Sequence, residues 1–342
     1  MKEYLFQLPD LFPLESGATL AGAHVAYRTW GQLNATRDNV VWVCHALTAN
    51  ADVLDWWPGL FGEGHFFDPA DWFIVCANIL GSCYGSTCPL DVDPATGTAR
   101  FQDFPLLTIR DLVAAHEALR QDLGLAYVHT LIGGSLGGQQ ALEWAASQPQ
   151  VFGHLVVIAS SARHSAWGIA FNEAQRLAIE ADPTYHENGP GGGDAGLAAA
   201  RAVALLSYRG YEAYANTQTD PDDDRLRDFR ASSYQRYQGN KLVARFDAYS
   251  YVVLTRAMDS HHLGRGRGGV AAALAGIRAR TLVLGITSDV LFPLVEQRTL
   301  AAGIPGAGYG ELDSSFGHDG FLLETVKITH ALEAFYAAAL AD

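Results

Sequence analysis

The hydrophobic and polar positions of the chain follow two alternating patterns. Short apolar runs of strand length are separated by segments in which apolar residues recur at helical spacing. The apolar runs predict buried strands at residues 39–44, 72–77, 128–132, 155–159 and 281–286. The periodic segments predict helices at residues 108–123, 139–147, 296–302 and about 322–340. Continuous apolar strands that alternate with helices indicate an α/β fold, with a mostly parallel sheet covered by helices on both faces.

One long segment, residues 163–280, interrupts this alternation. It is rich in alanine, arginine, tyrosine and aspartate, and it has little strand character. Residues 166–181 and 195–206 have helical patterns, and a glycine-rich loop at residues 183–194 separates them. We therefore predict a helical cap (lid) domain at residues 163–280, inserted into a core domain formed by residues 1–162 and 281–342.

Composition and charge narrow the classes of protein that fit. The chain has 342 residues and a formal net charge of −14, and its only lysines are Lys2, Lys241 and Lys327. This balance opposes non-specific binding to nucleic acid, and it means that local arginines must bind any anionic substrate. The first residues lack the apolar run of a secretory leader, and no stretch reaches the roughly 18 apolar residues of a membrane span. We expect a cytoplasmic protein with no nucleic-acid or membrane partner.

The four cysteines do not form a metal-binding pattern. Cys44 and Cys76 lie at the ends of predicted strands, and Cys83 and Cys88 lie in a glycine-rich loop. No C-x-x-C pair and no cysteine–histidine ligand spacing is present, so the sequence predicts no metal site. We expect reduced thiols.

The stretch Gly133-Gly134-Ser135-Leu136-Gly137 carries the strongest chemical signal. It has the pattern G-x-S-x-G and joins the predicted strand at 128–132 to the predicted helix at 139–147. At such a junction the pattern is typical of a nucleophile elbow, a tight turn that exposes a serine hydroxyl at a helix N-terminus. A simple strand-to-helix turn is the alternative. The elbow reading predicts Ser135 as a catalytic nucleophile.

A serine hydroxyl needs a base beside it, and the base needs an orienting acid. In the α/β-hydrolase fold the chain order is serine, acid, histidine. Asp289 directly follows the predicted strand at 281–286, and His318 lies in a late loop before the last predicted helix. These positions predict Asp289 as the acid and His318 as the base. Asp319 is a rival acid, but it adjoins His318 in sequence and its side chain is expected to point elsewhere.

The oxyanion formed on an attacked carbonyl needs two N–H donors. One is expected from Leu136, the residue after the nucleophile, and the other from Leu47, in the loop after the first strong strand. His45 precedes Leu47 at the end of that strand. We expect His45 to form a structural hydrogen bond rather than to act as a base.

The chain resembles the homoserine O-acetyltransferase family, α/β-hydrolase-fold acyltransferases of methionine biosynthesis. The matching stretches run from residue 44 to residue 321, and they include the elbow with Ala141-Leu142-Glu143-Trp144-Ala145. The others are residues 44–48, 80–87, 104–105 with 108–111, 162–165, 170–173, 233–234 with 237–239, 245–248, 287–289 and 317–321. The resemblance implies an α/β-hydrolase fold with an inserted helical lid.

The resemblance also implies a ping-pong reaction. Ser135 takes an acetyl group from acetyl-CoA, and the hydroxyl of L-homoserine then attacks the acyl-enzyme. Arg209 is implied to hold the substrate carboxylate and Asp319 the substrate ammonium. Thr48 and Tyr234 are further substrate-binding candidates. A homodimer formed through the lid helices is implied as well, and no cofactor, because acetyl-CoA is a substrate.

The chain departs from the family pattern at positions that bear on substrate choice. Ala49-Asn50 stand where the family usually has Gly-Asp, and Leu136 replaces the commoner methionine. Serine O-acetyl transfer and O-succinyl transfer to serine or homoserine therefore stay open. An esterase is a further alternative, because the triad alone does not separate transfer from hydrolysis. A non-catalytic binder would be expected to lack one of the triad residues, and all three are present.

Overall fold

The computed structural model describes residues 3–339. Met1 and Lys2 of the predicted core domain lie outside the described residues, as does Leu340, at the end of the predicted last helix. Within residues 3–339, no helix is both long and apolar enough to cross a membrane.

The fold is built on a twisted eight-stranded sheet, which carries the order β1-β4-β6-β5-β7-β8-β9-β10. Strands β4 to β6 and β1 to β4 pair antiparallel, and all other neighbours in this sheet pair parallel. A separate antiparallel pair, β2 and β3, lies near the N-terminus. The strands are β1 (Glu3–Gln7), β2 (Leu11–Pro13), β3 (Thr19–Ala21), β4 (His24–Trp30), β5 (Val40–Cys44), β6 (Phe73–Ala77), β7 (Val128–Gly134), β8 (Phe152–Ile158), β9 (Arg280–Ile286) and β10 (Gly308–Leu312).

The central strands are apolar on both sides because both faces of the sheet are covered. Along β5, Trp42 and Cys44 pack into the core on one face, whereas Val41 and Val43 pack into the core on the other. Side chains alternate between faces along a strand, so a strand buried on both sides reads as a continuous apolar run. The predicted parallel sheet with two covered faces is confirmed.

Helices cover the sheet and begin where the sequence supplies caps. The Thr108 hydroxyl accepts a hydrogen bond from the Asp111 N–H, and the Asp111 carboxylate accepts one from the Thr108 N–H, so α2 begins with a reciprocal capping pair. The helices of the core are α1 (Val53–Trp56), α2 (Ile109–Asp122), α3 (Leu136–Ser147), α10 (Leu294–Gly303), α11 (Gly320–Leu323) and α12 (Thr325–Ala339).

The segment between β8 and β9 is helical throughout its ordered elements and contains no strand. Its helices are α4 (Ala166–Glu180), α5 (Asp194–Tyr208), α6 (Tyr211–Gln218), α7 (Arg230–Val243), α8 (Ala248–Asp259) and α9 (Val270–Ala275). A short 3-10 helix, Pro183–Glu187, lies in the predicted glycine-rich loop. The description of residues 163–280 as a separate lid domain stays a prediction.

The structure adds elements that the apolar pattern does not predict. Strand β1 is exposed or half-buried along its whole length, and β10 contains two glycines, so neither forms a continuous apolar run. The predicted helix at 322–340 is divided, because Glu324 leaves the helical conformation between α11 and α12. Strands β1 and β10 are the two edge strands of the sheet, so each is paired on one side only.

Candidate active site

The turn between β7 and α3 holds Ser135 in a strained backbone conformation. Its φ is 57° and its ψ is −126°, in a region that residues with a side chain rarely adopt. A Cβ at Gly133 would lie 2.3 Å from the Gly137 carbonyl oxygen, and one at Gly137 would lie 2.0 Å from the Cys44 carbonyl oxygen. Only glycine fits at these two positions, because the turn presses against its own helix and against the end of β5.

Three residues from separate parts of the chain form one hydrogen-bonded series. His318 Nε2 lies 2.8 Å from Ser135 Oγ, and His318 Nδ1 lies 2.7 Å from Asp289 Oδ2. Ser135 follows β7, Asp289 follows β9, and His318 follows β10 on a short 3-10 helix, Gly317–Asp319. All three side chains are buried. The structure thus brings together the predicted nucleophile, base and acid in the order that the chemistry requires.

Further contacts fix the orientation of the Asp289 carboxylate and the His318 imidazole. The second carboxylate oxygen of Asp289 accepts hydrogen bonds from the N–H groups of Leu291 and Phe292, at 2.8 and 2.9 Å. The imidazole of His318 stacks on Phe292, with ring centres 5.2 Å apart, and Phe321 lies at 5.3 Å on another side. These contacts hold His318 between its two partners.

Ser288 is a positioning residue that sequence reasoning did not single out. Its hydroxyl accepts a hydrogen bond from the Gly317 N–H, at 2.9 Å, and donates one to the Ser314 carbonyl. It therefore ties the loop that carries the acid to the loop that carries the base. The only sequence feature that could have pointed to Ser288 is its position directly before the predicted acid, Asp289.

The two predicted oxyanion donors are free to bind a ligand. Neither the Leu136 N–H nor the Leu47 N–H donates a hydrogen bond to any residue within 3–339. Leu136 is the first residue of α3, where a helix has unpaired N–H groups and the positive end of its dipole. The position of these donors agrees with an oxyanion site, and the role stays a prediction.

His45 has a structural environment. One ring nitrogen, Nδ1, donates to the Ala46 carbonyl at 2.8 Å, and the other, Nε2, accepts from the Ile79 N–H at 3.0 Å. Burial lowers the pKa of His45 to about 4, because the charged ring would lose its hydration. The second of these hydrogen bonds joins the loop before Leu47 to Ile79, two residues after β6, as the expected structural role requires.

A cavity of about 660 Å³ opens from Ser135 and His318 toward solvent. Its lining combines apolar side chains with four cations, although the chain as a whole is strongly acidic. The cations are Arg201, Arg209, Lys241 and Arg245. Positive charge is therefore concentrated where an anionic substrate would have to bind, as the net charge of the chain led us to expect.

Arg209 and Asp319 form an ion pair in this cavity. Arg209 Nε lies 2.8 Å from Asp319 Oδ2, yet this buried N–H is not aligned for a hydrogen bond and has no other partner among the described residues. Burial raises the pKa of Asp319, although Arg209 opposes that shift. Asp319 thus contacts Arg209, while Asp289 contacts His318. The predicted substrate-binding pair lies together beside the base.

The other two binding candidates have different positions. Thr48 lines the cavity, and its carbonyl oxygen accepts a hydrogen bond from Arg245 at 2.6 Å. Tyr234 lies in a neighbouring groove, behind the guanidinium of Arg209, which is 5.8 Å from the centre of its ring. Tyr234 therefore contacts Arg209 and does not line the cavity. This position favours an action on a substrate through Arg209 over direct contact with a ligand.

Residues 3–339 contain no candidate metal-binding cluster. No group of three or more histidine, cysteine, aspartate or glutamate side chains there is placed to hold a metal ion. All four cysteines are free thiols.

Comparison with known proteins places the chain in a family. The family model described as alpha/beta hydrolase fold matches residues 39–325. A homoserine O-acetyltransferase of Cyclobacterium marinum is 46% identical over 336 residues, which cover 98% of this chain and 95% of that protein.

Solved structures give the same fold. A homoserine O-acetyltransferase from Bacillus anthracis has a TM-score of 0.88 at 22% identity, over 98% of this chain and 97% of that one. An acetylester hydrolase from Corynebacterium glutamicum has a TM-score of 0.87 at 22% identity, over 98% of this chain and 96% of that one. At such identities these two structures show the fold alone.

The sheet order, the strained serine turn and the serine–histidine–aspartate series define an α/β-hydrolase-fold protein. Within that class, identity of 46% over nearly the whole length decides the family. The chain belongs to the homoserine O-acetyltransferase family.

Proposed function

We propose that the protein transfers an acetyl group from acetyl-CoA to the hydroxyl of L-homoserine, through an acyl-enzyme formed on Ser135. The observation that carries the proposal is the hydrogen-bonded series from Ser135 through His318 to Asp289, at the inner end of a cavity that also holds Arg209 and Asp319. The family of the chain supports the choice of donor and acceptor.

In the first half-reaction, His318 Nε2 takes the proton of Ser135 as Oγ attacks the thioester carbonyl. The N–H groups of Leu47 and Leu136 would bind the oxyanion, and Asp289 would stabilise the imidazolium. The carbon–sulfur bond then breaks, and His318 returns the proton to the departing sulfur. Coenzyme A leaves with a free thiol, and the acetyl group stays on Ser135.

In the second half-reaction, His318 takes the proton of the homoserine hydroxyl as that oxygen attacks the acetyl carbonyl. The bond to Ser135 breaks, and the serine oxygen regains a proton from His318. Arg209 would bind the acceptor's carboxylate and Asp319 its ammonium group. A zwitterion placed between them replaces one poorly aligned ion pair with two charge-assisted contacts, which favours an amino-acid acceptor.

The first test is to mix purified protein with acetyl-CoA or succinyl-CoA and to follow thiol release. Each donor is tested with L-homoserine, with L-serine and with no acceptor. We expect fast release only with acetyl-CoA and homoserine. A preference for serine or for the succinyl donor would keep the mechanism and change the substrates.

An esterase is the second candidate, because acetylester hydrolases share this fold. Thiol release that ignores the acceptor would favour it, since water would then take the acetyl group. With saturating homoserine, the ratio of O-acetylhomoserine to acetate measures the choice directly. The transferase proposal requires that O-acetylhomoserine predominate.

We further propose a homodimer that forms through helices α5 to α7. Large apolar side chains are exposed on these helices and on the loop between α6 and α7, and a single chain leaves them in water. They are Leu206, Tyr211, Leu226, Phe229 and Tyr237. Light scattering should give twice the mass of the chain, and Tyr211→Lys should shift the protein toward the monomer.

The remaining parts of the proposal concern location and cofactors. We propose that the enzyme works in the cytoplasm, where acetyl-CoA is available and free thiols stay reduced. It needs no cofactor besides its substrates. Dialysis against a chelator should leave the rate unchanged, and a loss restored by a metal ion would contradict this point.

A further inference from the structure

The outer end of the cavity carries two cations, Lys241 and Arg245, which we call the mouth pair. Lys241 lies in the last turn of α7, and Arg245 lies four residues later, just after that helix. Both side chains line the cavity and both are exposed, whereas Ser135 and His318 at its inner end are only 6% and 3% exposed. The cavity therefore leads from a buried nucleophile to a basic rim.

Neither member of the mouth pair is neutralised by a carboxylate. Within residues 3–339, no aspartate or glutamate oxygen forms an ion pair with Lys241 or Arg245. The guanidinium of Arg245 donates instead to the neutral Thr48 carbonyl and the Tyr84 hydroxyl. The chain has 37 acidic and 23 basic side chains, yet neither of these two cations is paired with a carboxylate.

The chemistry of the two substrates separates the two ends of the cavity. The acceptor is small, so its carboxylate must bind close to Ser135, where Arg209 is available. An acyl-CoA donor carries its thioester at one end of a long pantetheine arm and its phosphates at the other. When the thioester is at the buried serine, the phosphates must lie toward the exposed end.

We propose that Lys241 and Arg245 bind the phosphate groups of the acyl-CoA donor. This inference rests on the proposed function, because it assigns a subsite for that donor. Arginine and lysine are the side chains that bind phosphate oxygens, arginine through its planar fork and lysine as a point charge. The contacts lie near solvent, so they contribute to donor affinity rather than to the chemical step.

Arg245 has a second role that the experiment must separate. Its hydrogen bonds hold Thr48, the residue after the predicted oxyanion donor Leu47. Replacing Arg245 can therefore disturb the oxyanion loop, whichever donor is used. The side chain of Lys241 has no hydrogen bond to a described residue, so Lys241→Gln removes a charge without removing such a contact.

The test compares acetyl-CoA with acetyl-pantetheine, which has the same thioester and no phosphate. Thiol release is measured with homoserine for the wild-type protein, Lys241→Gln, Arg245→Gln and the double variant. Exposed charge pairs change binding by up to about fivefold each, so we expect the double variant to lose about tenfold in kcat/KM for acetyl-CoA. For Lys241→Gln the loss should appear in KM and be absent with acetyl-pantetheine. For the two variants that lack Arg245, a loss shared by both donors measures the effect on the oxyanion loop, and only the additional loss with acetyl-CoA counts as phosphate binding. KM for homoserine should not change. Arg236→Gln, at an exposed position on α7 and outside the cavity, is the matched control.

Two results would overturn the assignment. An equal loss with both donors would show that the pair acts on the protein and not on phosphate, and an unchanged KM for acetyl-CoA in the double variant would show that it binds nothing. If the wild-type protein transferred acetyl from neither donor, the proposed function would fail. Calorimetric titration with adenosine 3′,5′-bisphosphate would then decide the subsite, since binding must weaken about tenfold in the double variant.

Discussion

The two ends of the cavity are built in different ways. At the inner end, Ser135, Asp289 and His318 each follow a strand of the parallel sheet, and hydrogen bonds join the three side chains to one another. The Asp289 carboxylate also accepts hydrogen bonds from two backbone N–H groups. The cations of the cavity come from the segment between β8 and β9, on its helices or directly after them. Arg201 and Arg209 are half-buried, whereas Lys241 and Arg245, at the outer end, are exposed.

The difference assigns different tasks to the two ends. Strand ends place a reacting group by the backbone, and a buried setting strengthens charge–charge contacts. Long side chains on helices can adjust to a ligand. Their charges lie near solvent, which weakens charge–charge contacts. We therefore expect changes at the inner end to reduce kcat, and changes at the outer end to raise KM for one substrate.

The largest effect is expected at the nucleophile. Ser135→Ala should reduce kcat by about 10⁵-fold or more, because no group remains to carry the acetyl intermediate. Steady-state thiol release measures the loss, and circular dichroism checks that the fold is kept. Ser147→Ala, at the far end of the same helix, is the control and should keep full activity. An acetylated peptide found in the alanine variant at another residue would contradict the assignment.

The second prediction contrasts two neighbouring carboxylates. Asp289→Asn should reduce kcat by about 10⁴-fold, since the imidazole loses the group that orients it and stabilises its charge. Asp319→Asn should leave formation of the acyl-enzyme nearly unchanged and should raise KM for homoserine. Rapid-quench measurement of the first turnover with acetyl-CoA alone separates the two. If Asp319→Asn abolished that first turnover, the two roles would have to be exchanged.

The third prediction concerns the pH dependence of the stability of the fold, which buried histidines control. His45 and His116 are fully buried, and burial lowers the pKa of each to about 4. An unfolded histidine has a pKa near 6.5, so between these values the unfolded chain binds more protons and stability rises with pH. The free energy of unfolding should be highest above about pH 6.5. It should fall by about 3 kcal/mol for each such histidine as the pH approaches 4.

Denaturant unfolding at pH 7 and pH 5 measures this dependence. His45→Asn should flatten the pH profile, whereas His65→Asn, at an exposed position, should not. An unchanged slope in His45→Asn would mean that His45 does not contribute to the pH dependence of folding.

A smaller effect is expected at the acceptor site. Arg209→Gln should raise KM for homoserine by roughly thirtyfold, about 2 kcal/mol, because a charge-assisted hydrogen bond to the carboxylate is lost. Formation of the acyl-enzyme from acetyl-CoA should not change. Arg236→Gln, an exposed position on α7 outside the cavity, is the control. Equal losses in both half-reactions would show that Arg209 acts on the catalytic residues and not on the acceptor alone.

The sequence pattern located the central strands well and the edges poorly. Strands β5 to β9 are buried on both faces, so their apolar runs are visible without any tertiary information. The N-terminal strands and β10 are partly exposed, and their sequences carry no such run. The interruption at Glu324 was also missed, because the helical periodicity continues across it.

For the site, the turn at Ser135 could be predicted because its cause is local. The glycines that permit a φ of 57° lie within two residues of the serine. Asp289 and His318 could be proposed from chain order, while Ser288 could not, since its hydrogen bonds go to Ser314 and Gly317 in another loop.

The sequence by itself determined the features that depend on neighbouring residues: apolar strands, helix caps and the strained turn at the nucleophile. Tertiary structure alone decided which distant groups meet. His318 lies 183 positions from Ser135, and only the parallel order of the strands brings their ends to one edge of the sheet. The same packing places Asp289 rather than Asp319 against His318, and it brings Lys241 and Arg245 to the mouth of the cavity. The physical reason is that local sterics act through a few bonds, whereas a site assembled from several elements exists only once the whole core is packed.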